Sequence, residues 1–235
     1  MLACSLDVTN TLDSGVGSLR DAITCANATA NIDRTGDGIA DPDVISFAIP
    51  GAGIHSIAPD SELPEITDSA IIDGYTQPGA KANTNGPNAG SNAVILIELN
   101  GANVASAVSG LRLSSDNSTV SGLAVNQFLN GIELLGGSGN VIAGNFIGTD
   151  PSGTVPAANS QHGVFVQDSA NNTIGGTTPM ARNVISNNLT GIGISSFSLG
   201  NIITGNLVGT DASGTLSLGN FVEGIAIYFD TSGAL

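Results

Sequence analysis

Gly144-Asn145-Phe146-Ile147-Gly148-Thr149-Asp150-Pro151-Ser152-Gly153-Thr154 returns as Gly205-Asn206-Leu207-Val208-Gly209-Thr210-Asp211-Ala212-Ser213-Gly214-Thr215. Self-similarity of this kind marks a repeat architecture. A finer repeat runs through and beyond the pair. Short apolar stretches follow a glycine at Gly110-Leu-Arg-Leu113, Gly131-Ile-Glu-Leu134, Gly163-Val-Phe-Val166, Gly191-Ile-Gly-Ile194 and Gly224-Ile-Ala-Ile227. Alternation with period two is the strand signature. The inward set is Leu111/Leu113, Ile132/Leu134, Val164/Val166, Ile192/Ile194 and Ile225/Ile227. The intervening residues Arg112, Glu133, Phe165, Gly193 and Ala226 share no chemistry. One face repeats and the other drifts, so the repeated face is the core.

Two more strands follow in each unit. The second reads Ser118-Thr-Val120, Asn140-Val-Ile142, Asn172-Thr-Ile174 and Asn201-Ile-Ile203. A bend glycine comes next, at Gly122, Gly144, Gly176 and Gly205. The third strand reads Leu123-Ala-Val125, Asn145-Phe-Ile147, Asn183-Val-Ile185 and Asn206-Leu-Val208. Three short strands and three bends per unit predict the rungs of an all-β parallel β-helix. Asn140, Asn172 and Asn201 share one register, and Asn145, Asn183 and Asn206 another. At the ~4.8 Å spacing of adjacent strands, stacked Asn side chains bond to one another and to bend backbone. That predicts an internal ladder at the corners rather than a polar binding surface.

The composition agrees. Among 235 residues there are 32 Gly, 11% charged residues, 4% aromatics and no Trp. This suits tight bends and stacked strands better than helices. The formal net charge of −15, with Arg20, Arg34, Lys81, Arg112 and Arg182 as the bases, excludes a basic patch for nucleic-acid phosphates. No stretch approaches the ~20 apolar residues of a membrane span.

The remaining elements lie nearer the N-terminus. Residues 5–13 read as a first strand. Ser18 is an N-cap with Asp21 three residues on, and Leu19, Ala22, Ile23 and Ala26 form one apolar stripe. A helix from Ser18 to Asn27 would cover the open end of the repeat stack, whose strand edges otherwise invite pairing. Val44–Ile49, Ala70–Ile72 and Ala93–Leu99 read as strands, with Gln77 to Asn92 an excursion loop. Cys4 and Cys25 allow a disulfide between first strand and helix in an oxidising compartment, or two free thiols. The expected division is 1–43 for strand, helix and an acidic loop, and 44–235 for the repeats, with the last rung incomplete near Ile225 to Phe229.

Val8-Thr-Asn-Thr-Leu-Asp-Ser-Gly15-Val-Gly-Ser-Leu-Arg-Asp-Ala-Ile23 with Ala26-Asn27 resembles the "SLREAI" segment of bacterial secreted and surface β-helix proteins. Ile71-Ile-Asp-Gly-Tyr-Thr-Gln-Pro-Gly79 and the Gly-Asn-x-Ile-Gly-Thr-Asp units are similar to the rest of such proteins, so the resemblance spans nearly the whole chain. It implies a right-handed coil, as does the usual hand of parallel crossovers, and an extracellular or cell-surface location with no export signal in these residues. It brings no catalytic residues. Many relatives carry Cys before Ser-Leu-Arg, where this chain has Gly17.

Chemistry is best sought in Asp33-Arg-Thr35-Gly-Asp37-Gly38-Ile39-Ala-Asp41-Pro-Asp43. Oxygen-bearing residues at alternate positions before a glycine resemble a calcium loop. Asp33, the Thr35 hydroxyl, Asp37 and the Ile39 carbonyl would converge on the ion, and Asp41 or Asp43 would complete the oxygen shell. Thr35 departs from the usual Asp or Asn, and the closing Glu of an EF-hand is missing, which leaves a shorter loop similar to those of dockerins or thrombospondin repeats. The competing reading is an acidic surface loop whose aspartates form turns. Asp150 and Asp211 lie two rungs apart, ~9.6 Å at strand spacing, and should each order their own turn.

A glycosidase needs two positioned carboxylates, and Glu133 has no counterpart in its column. Arg112 and Glu133 should pair across neighbouring rungs. His55 and His162 sit in loop-like contexts. Tyr75, Phe165, Tyr228 and Phe229 are the aromatic candidates for a sugar platform. The leading expectation is a non-catalytic extracellular module, structural, adhesive or self-assembling, that meets other copies of itself or a surface polysaccharide. A carbohydrate-active β-helix enzyme or a carbohydrate-binding module is the alternative.

Overall fold

The computed structural model describes residues 4–104, 107–195 and 197–228. Phe229, one of the aromatic candidates, lies outside the described residues.

In chain order the elements are β1 (Asp7–Val8), α1 (Leu19–Ala28), β2 (Asp43–Phe47), β3 (His55–Ile57), β4 (Ala70–Asp73), β5 (Ile97–Asn100) and β6 (Leu111–Leu113). Next come β7 (Thr119–Ser121), β8 (Leu123–Asn126), β9 (Ile132–Leu135), β10 (Val141–Ala143), β11 (Phe146–Ile147) and β12 (His162–Gln167). The last are β13 (Thr173–Gly175), β14 (Val184–Ile185), β15 (Thr190–Ile194), β16 (Ile202–Thr204), β17 (Leu207–Val208) and β18 (Glu223–Ile227).

These strands form three parallel sheets. The first runs β1-β2-β4-β7-β10-β13-β16, the second β17-β14-β11-β8-β5-β3 and the third β18-β15-β12-β9-β6. From β4 onward the chain visits first, second and third sheet in turn, over and over, an arrangement compatible with a parallel β-helix. Register is set by the aliphatic face, because a one-residue slip would turn every inward side chain outward. The third-sheet column Leu111, Ile132, Val164, Ile192 and Ile225 stacks as the sequence predicts. The first sheet stacks Ile45, Ile72, Val120, Ile142 and Ile174, and the second Ile57, Leu99, Val125, Ile147 and Ile185. These first- and second-sheet side chains, and those of the third sheet through Ile192, are buried in one continuous cluster. Each contributes about 1.5–3 kcal/mol on leaving water.

The corner ladders are present. Asn172 Oδ1 accepts from Asn140 N–H at 2.9 Å, and Asn201 Oδ1 from Asn172 N–H at 2.8 Å. At the next corner Asn183 Oδ1 accepts from Asn145 N–H at 2.8 Å, and Asn183 Nδ2 donates to Asn206 Oδ1 at 2.8 Å. A third ladder escapes the repeat alignment. Asn188 Oδ1 accepts from Asn159 N–H, and Asn220 Oδ1 from Asn188 N–H. The three residues precede their strand glycines Gly163, Gly191 and Gly224 by four, three and four positions, and that uneven offset hides them. Between the first two sheets, Gly122, Gly144 and Gly205 turn the chain at φ near +70°, where a Cβ is strained. At Gly122 a Cβ would also meet Tyr75 N at 2.6 Å.

The helix is as expected. Ser18 Oγ accepts from Asp21 N–H, and Leu19, Ala22, Ile23 and Ala26 are buried against Val8, Ile45 and Phe47 in the common cluster. A disulfide joins Cys4 to Cys25. Strand lengths differ from the sequence reading. The first strand narrows to Asp7–Val8, and 93–99 yields only Ile97 onward, because Val94 pairs antiparallel with Lys81 inside the excursion loop. His55, read as loop, begins β3, and His162, read likewise, begins β12.

Candidate functional site

The acidic loop is held by its own carboxylates. Asp33 Oδ1 and Oδ2 accept from Gly36 N–H at 2.5 Å and Gly38 N–H at 2.8 Å, and Asp37 Oδ1 accepts from Ile39 N–H at 2.9 Å. The Gly38 and Gly36 amides hold Asp33 below the usual carboxylate range. Asp41 Oδ2 accepts from the Arg34 and Thr35 N–H groups at 2.6 and 3.0 Å. Thr35 Oγ1 reaches Asp33 Oδ1 at 3.4 Å. Asp43 is buried at the start of β2, where Arg34 Nη2 and Thr29 Oγ1 bond it at 2.6 and 2.9 Å. The Ile39 side chain is exposed. Asp33, Thr35 and Asp37 therefore share one turn, while Asp41 and Asp43 serve Arg34 and the second limb. Oxygen donors of this type suit a hard cation, but a cation would share them with these N–H groups. Among the described residues, no group of three or more His, Cys, Asp or Glu side chains is gathered for a metal.

Asp150 and Asp211 each order their own turn. Asp150 accepts from Ser152 Oγ and Val155 N–H, and Asp211 from Ser213 Oγ and Leu216 N–H, at matching distances of 2.7 and 3.1 Å. The two turns nevertheless touch, since Ala212 N–H donates to Gly153 O at 2.8 Å. The intervening unit goes from β14 into Ser186-Asn187-Asn188 with no such excursion, which leaves room for the contact. The excursion loop arrives at the same place. Ser91 N–H donates to Ala212 O, and the buried Arg182 guanidinium donates to Ala89 O, Gly90 O and Gly86 O.

The outward side of the third sheet carries the most varied chemistry. Arg112 and Glu133 are register partners, joined at 3.1 Å. Glu133 is almost fully buried and also accepts from Ser109 Oγ at 2.7 Å. Burial opposes the Arg112 charge, and Glu133, Glu62 and Glu65 together outweigh it and raise its pKa. One rung on, the His162 ring stacks on Phe165 with centroids 4.4 Å apart and 15° between planes. Tyr228 meets the same ring edge-on at 5.9 Å. Asn130 Oδ1 lies 2.9 Å from His162 Nδ1 and accepts from the His162 backbone N–H as well. An amide oxygen only accepts, so Nδ1 carries the proton and Nε2 faces the Tyr228 hydroxyl at 3.3 Å as the acceptor. Burial lowers the His162 pKa, against the pull of Glu133 and Glu223.

Beside this ring lies a groove of about 480 Å³, open to solvent, with Phe165, Tyr228, Thr190 and Glu223 in its walls. Gly193 lets the His162 and Tyr228 rings of the groove wall lie this close to the sheet. It follows Phe165 in the outward column, and a Cβ there would meet His162 Cδ2 at 2.5 Å and Tyr228 Cε2 at 3.1 Å. Sequence reasoning picked out Phe165 and Tyr228 singly. Their convergence on His162 needs the register between β12, β15 and β18. Tyr75, the third candidate in the described residues, is instead mostly buried at the corner between the first two sheets. Its hydroxyl donates to Gly144 O at 2.6 Å, and burial raises its pKa.

No protein-family model matches this chain, and no curated protein matches it. No helix among the described residues is long and apolar enough to cross a membrane.

Proposed function

We propose that the three sheets are the walls of a right-handed parallel β-helix that serves as a stiff, non-catalytic extracellular or cell-surface module, structural or adhesive, and assembles with other copies of itself. One observation carries this reading. Each rung is covered by the next in one register, and β16, β17 and β18, edge strands among the described residues, offer a face of the same kind that a further rung fits. On β18, Ile225 and Ile227 are 48% and 60% exposed, although they occupy the column that is buried in every rung before. The ladders point the same way. Asn140 and Asn172 give their N–H groups to the next Asn, and among the described residues nothing accepts those of Asn201 and Asn220.

A surface of unpaired backbone groups and aliphatic side chains is complementary to another rung of the same kind. Docking there through a different surface of a second copy gives rings or filaments, and docking two such faces gives a closed dimer. The Cys4–Cys25 bridge supports an oxidising compartment. Calcium at Asp33, Asp37 and Asp41 would stiffen the N-terminal loop. Sedimentation velocity over a concentration series tests the assembly. Larger species that grow with concentration support it, and a concentration-independent monomer overturns it.

A further inference from the structure

We propose that the third-sheet groove beside His162 binds an uncharged oligosaccharide, with a pyranose ring lying against Phe165 and Tyr228. This does not depend on self-assembly, which concerns the edge of β18 rather than the outward side of the sheet.

A pyranose presents a C–H face and a rim of hydroxyls. Its recognition needs an aromatic surface, with carboxylate, amide or hydroxyl groups alongside. All are present. Phe165, His162 and Tyr228 form one aromatic cluster, fixed by the stacking and edge contacts. Glu223, held by Thr190 Oγ1 at 2.8 Å, and the exposed Gln161 flank it. The volume of about 480 Å³ falls within the ~300–1,000 Å³ of small-ligand sites.

The small column residues let the rings of His162 and Tyr228 lie down on the sheet, so that the groove runs beside a fixed aromatic wall. Beyond Phe165 the outward column shrinks to Gly193 and Ala226. Any larger side chain at Gly193 would push the His162 and Tyr228 rings aside. The charges select the sugar class. No Lys or Arg lines the groove, and Glu133 and Glu223 bear on His162 from both sides. Burial lowers the pKa of the ring itself. Uronate or sulfated chains would meet the Glu223 carboxylate with no Lys or Arg in the groove wall to balance it, whereas neutral hydroxyls can donate to it.

The test is titration of the full chain with neutral hexasaccharides (β-gluco-, β-manno- and chito-series) and with oligogalacturonate, followed by NMR of the His162, Phe165 and Tyr228 ring signals. A neutral series should shift those signals saturably, and oligogalacturonate should not. Phe165→Ala and Gly193→Val should each weaken binding by about tenfold with the circular dichroism of the folded chain retained. If a variant fails to fold, the ring-signal map on the unmodified chain decides. Absence of saturable shifts up to about 10 mM, a preference for oligogalacturonate, or equal binding by both folded variants would each overturn the proposal.

Discussion

Arg182 Nη1 donates to Ala89 O at 2.6 Å, across 93 positions of sequence. The same guanidinium reaches Gly90 O at 3.1 Å and Gly86 O at 3.0 Å. The guanidinium fork reaches these carbonyls from two separate nitrogens, a spread that the single nitrogen of an ammonium lacks. The excursion loop is thereby bound to the segment between β13 and β14, where Asn83 Nδ2 adds a bond to Pro179 O at 2.8 Å. Arg182→Ala should cost about 2–3 kcal/mol, given charged hydrogen bonds of ~1.5–3 kcal/mol each and partial rehydration of the carbonyls. Arg182→Lys should recover only part. Denaturant melts measure the loss, and amide exchange should quicken at Ser91, whose N–H bonds Ala212 O.

The Asn ladders should dominate corner stability. Asn145 Oδ1 accepts from Leu123 N–H at 3.0 Å, and its Nδ2 donates to Val120 O at 2.8 Å. Asn145 is fully buried. Asn145→Ala strands both backbone groups, at a cost of about 3 kcal/mol. Asn201→Ala, on the half-exposed last rung, should cost about 1 kcal/mol because water can replace the side chain. Equal losses at the two positions would contradict the ladder account.

Acid should unfold the chain in two stages. Burial lowers the His162 pKa from its ordinary 6.5, so as pH falls through 6.5 the unfolded chain takes up the proton first and stability declines. Asp13, Asp33 and Asp211 are lowered from 3.8, by the Arg20 guanidinium, the Gly38 amide and the Ser213 hydroxyl respectively. Their contribution is whole above 3.8 and lost as pH falls further. Chemical denaturation from pH 7 to 3 should show both stages, and His162→Gln should remove the upper one.

Calcium is tested at the N-terminal loop. Calorimetric titration of chelator-treated protein should show binding that Asp37→Ala weakens, with a higher melting temperature in calcium. No heat and an unchanged melting temperature would leave the loop as a turn held by Asp33, Asp37 and Asp41 through backbone bonds alone.

The repeats were legible because the aliphatic column demands one register: Leu111 through Ile227 could be aligned from period-two alternation and the preceding glycines. The helix was legible from Ser18 and its apolar stripe. Other features depend on contacts that no local pattern carries. His55 pairs with β5 through Ile97, yet the short His-Ser-Ile segment shows little alternation. The turns of Asp150 and Asp211 meet only because the rung between them has a tight corner. The alternation placed Phe165 outward, but the packing of the His162 ring over Gly193 and the arrival of Tyr228 from two strands away are products of stacking.

The central claim is that the β18 face accepts another rung from a second copy. Light scattering of the unmodified chain beside Ile227→Lys, at matched high-micromolar concentrations, tests it most directly. Ile227 is exposed on that face, in register with the buried Leu113, Leu134 and Val166 columns, and a lysine there sets a charge in the junction. The account predicts dimers or larger species for the unmodified chain and monomers for the variant, with both folded. A monomeric unmodified chain, or assemblies that persist unchanged in Ile227→Lys, would contradict it.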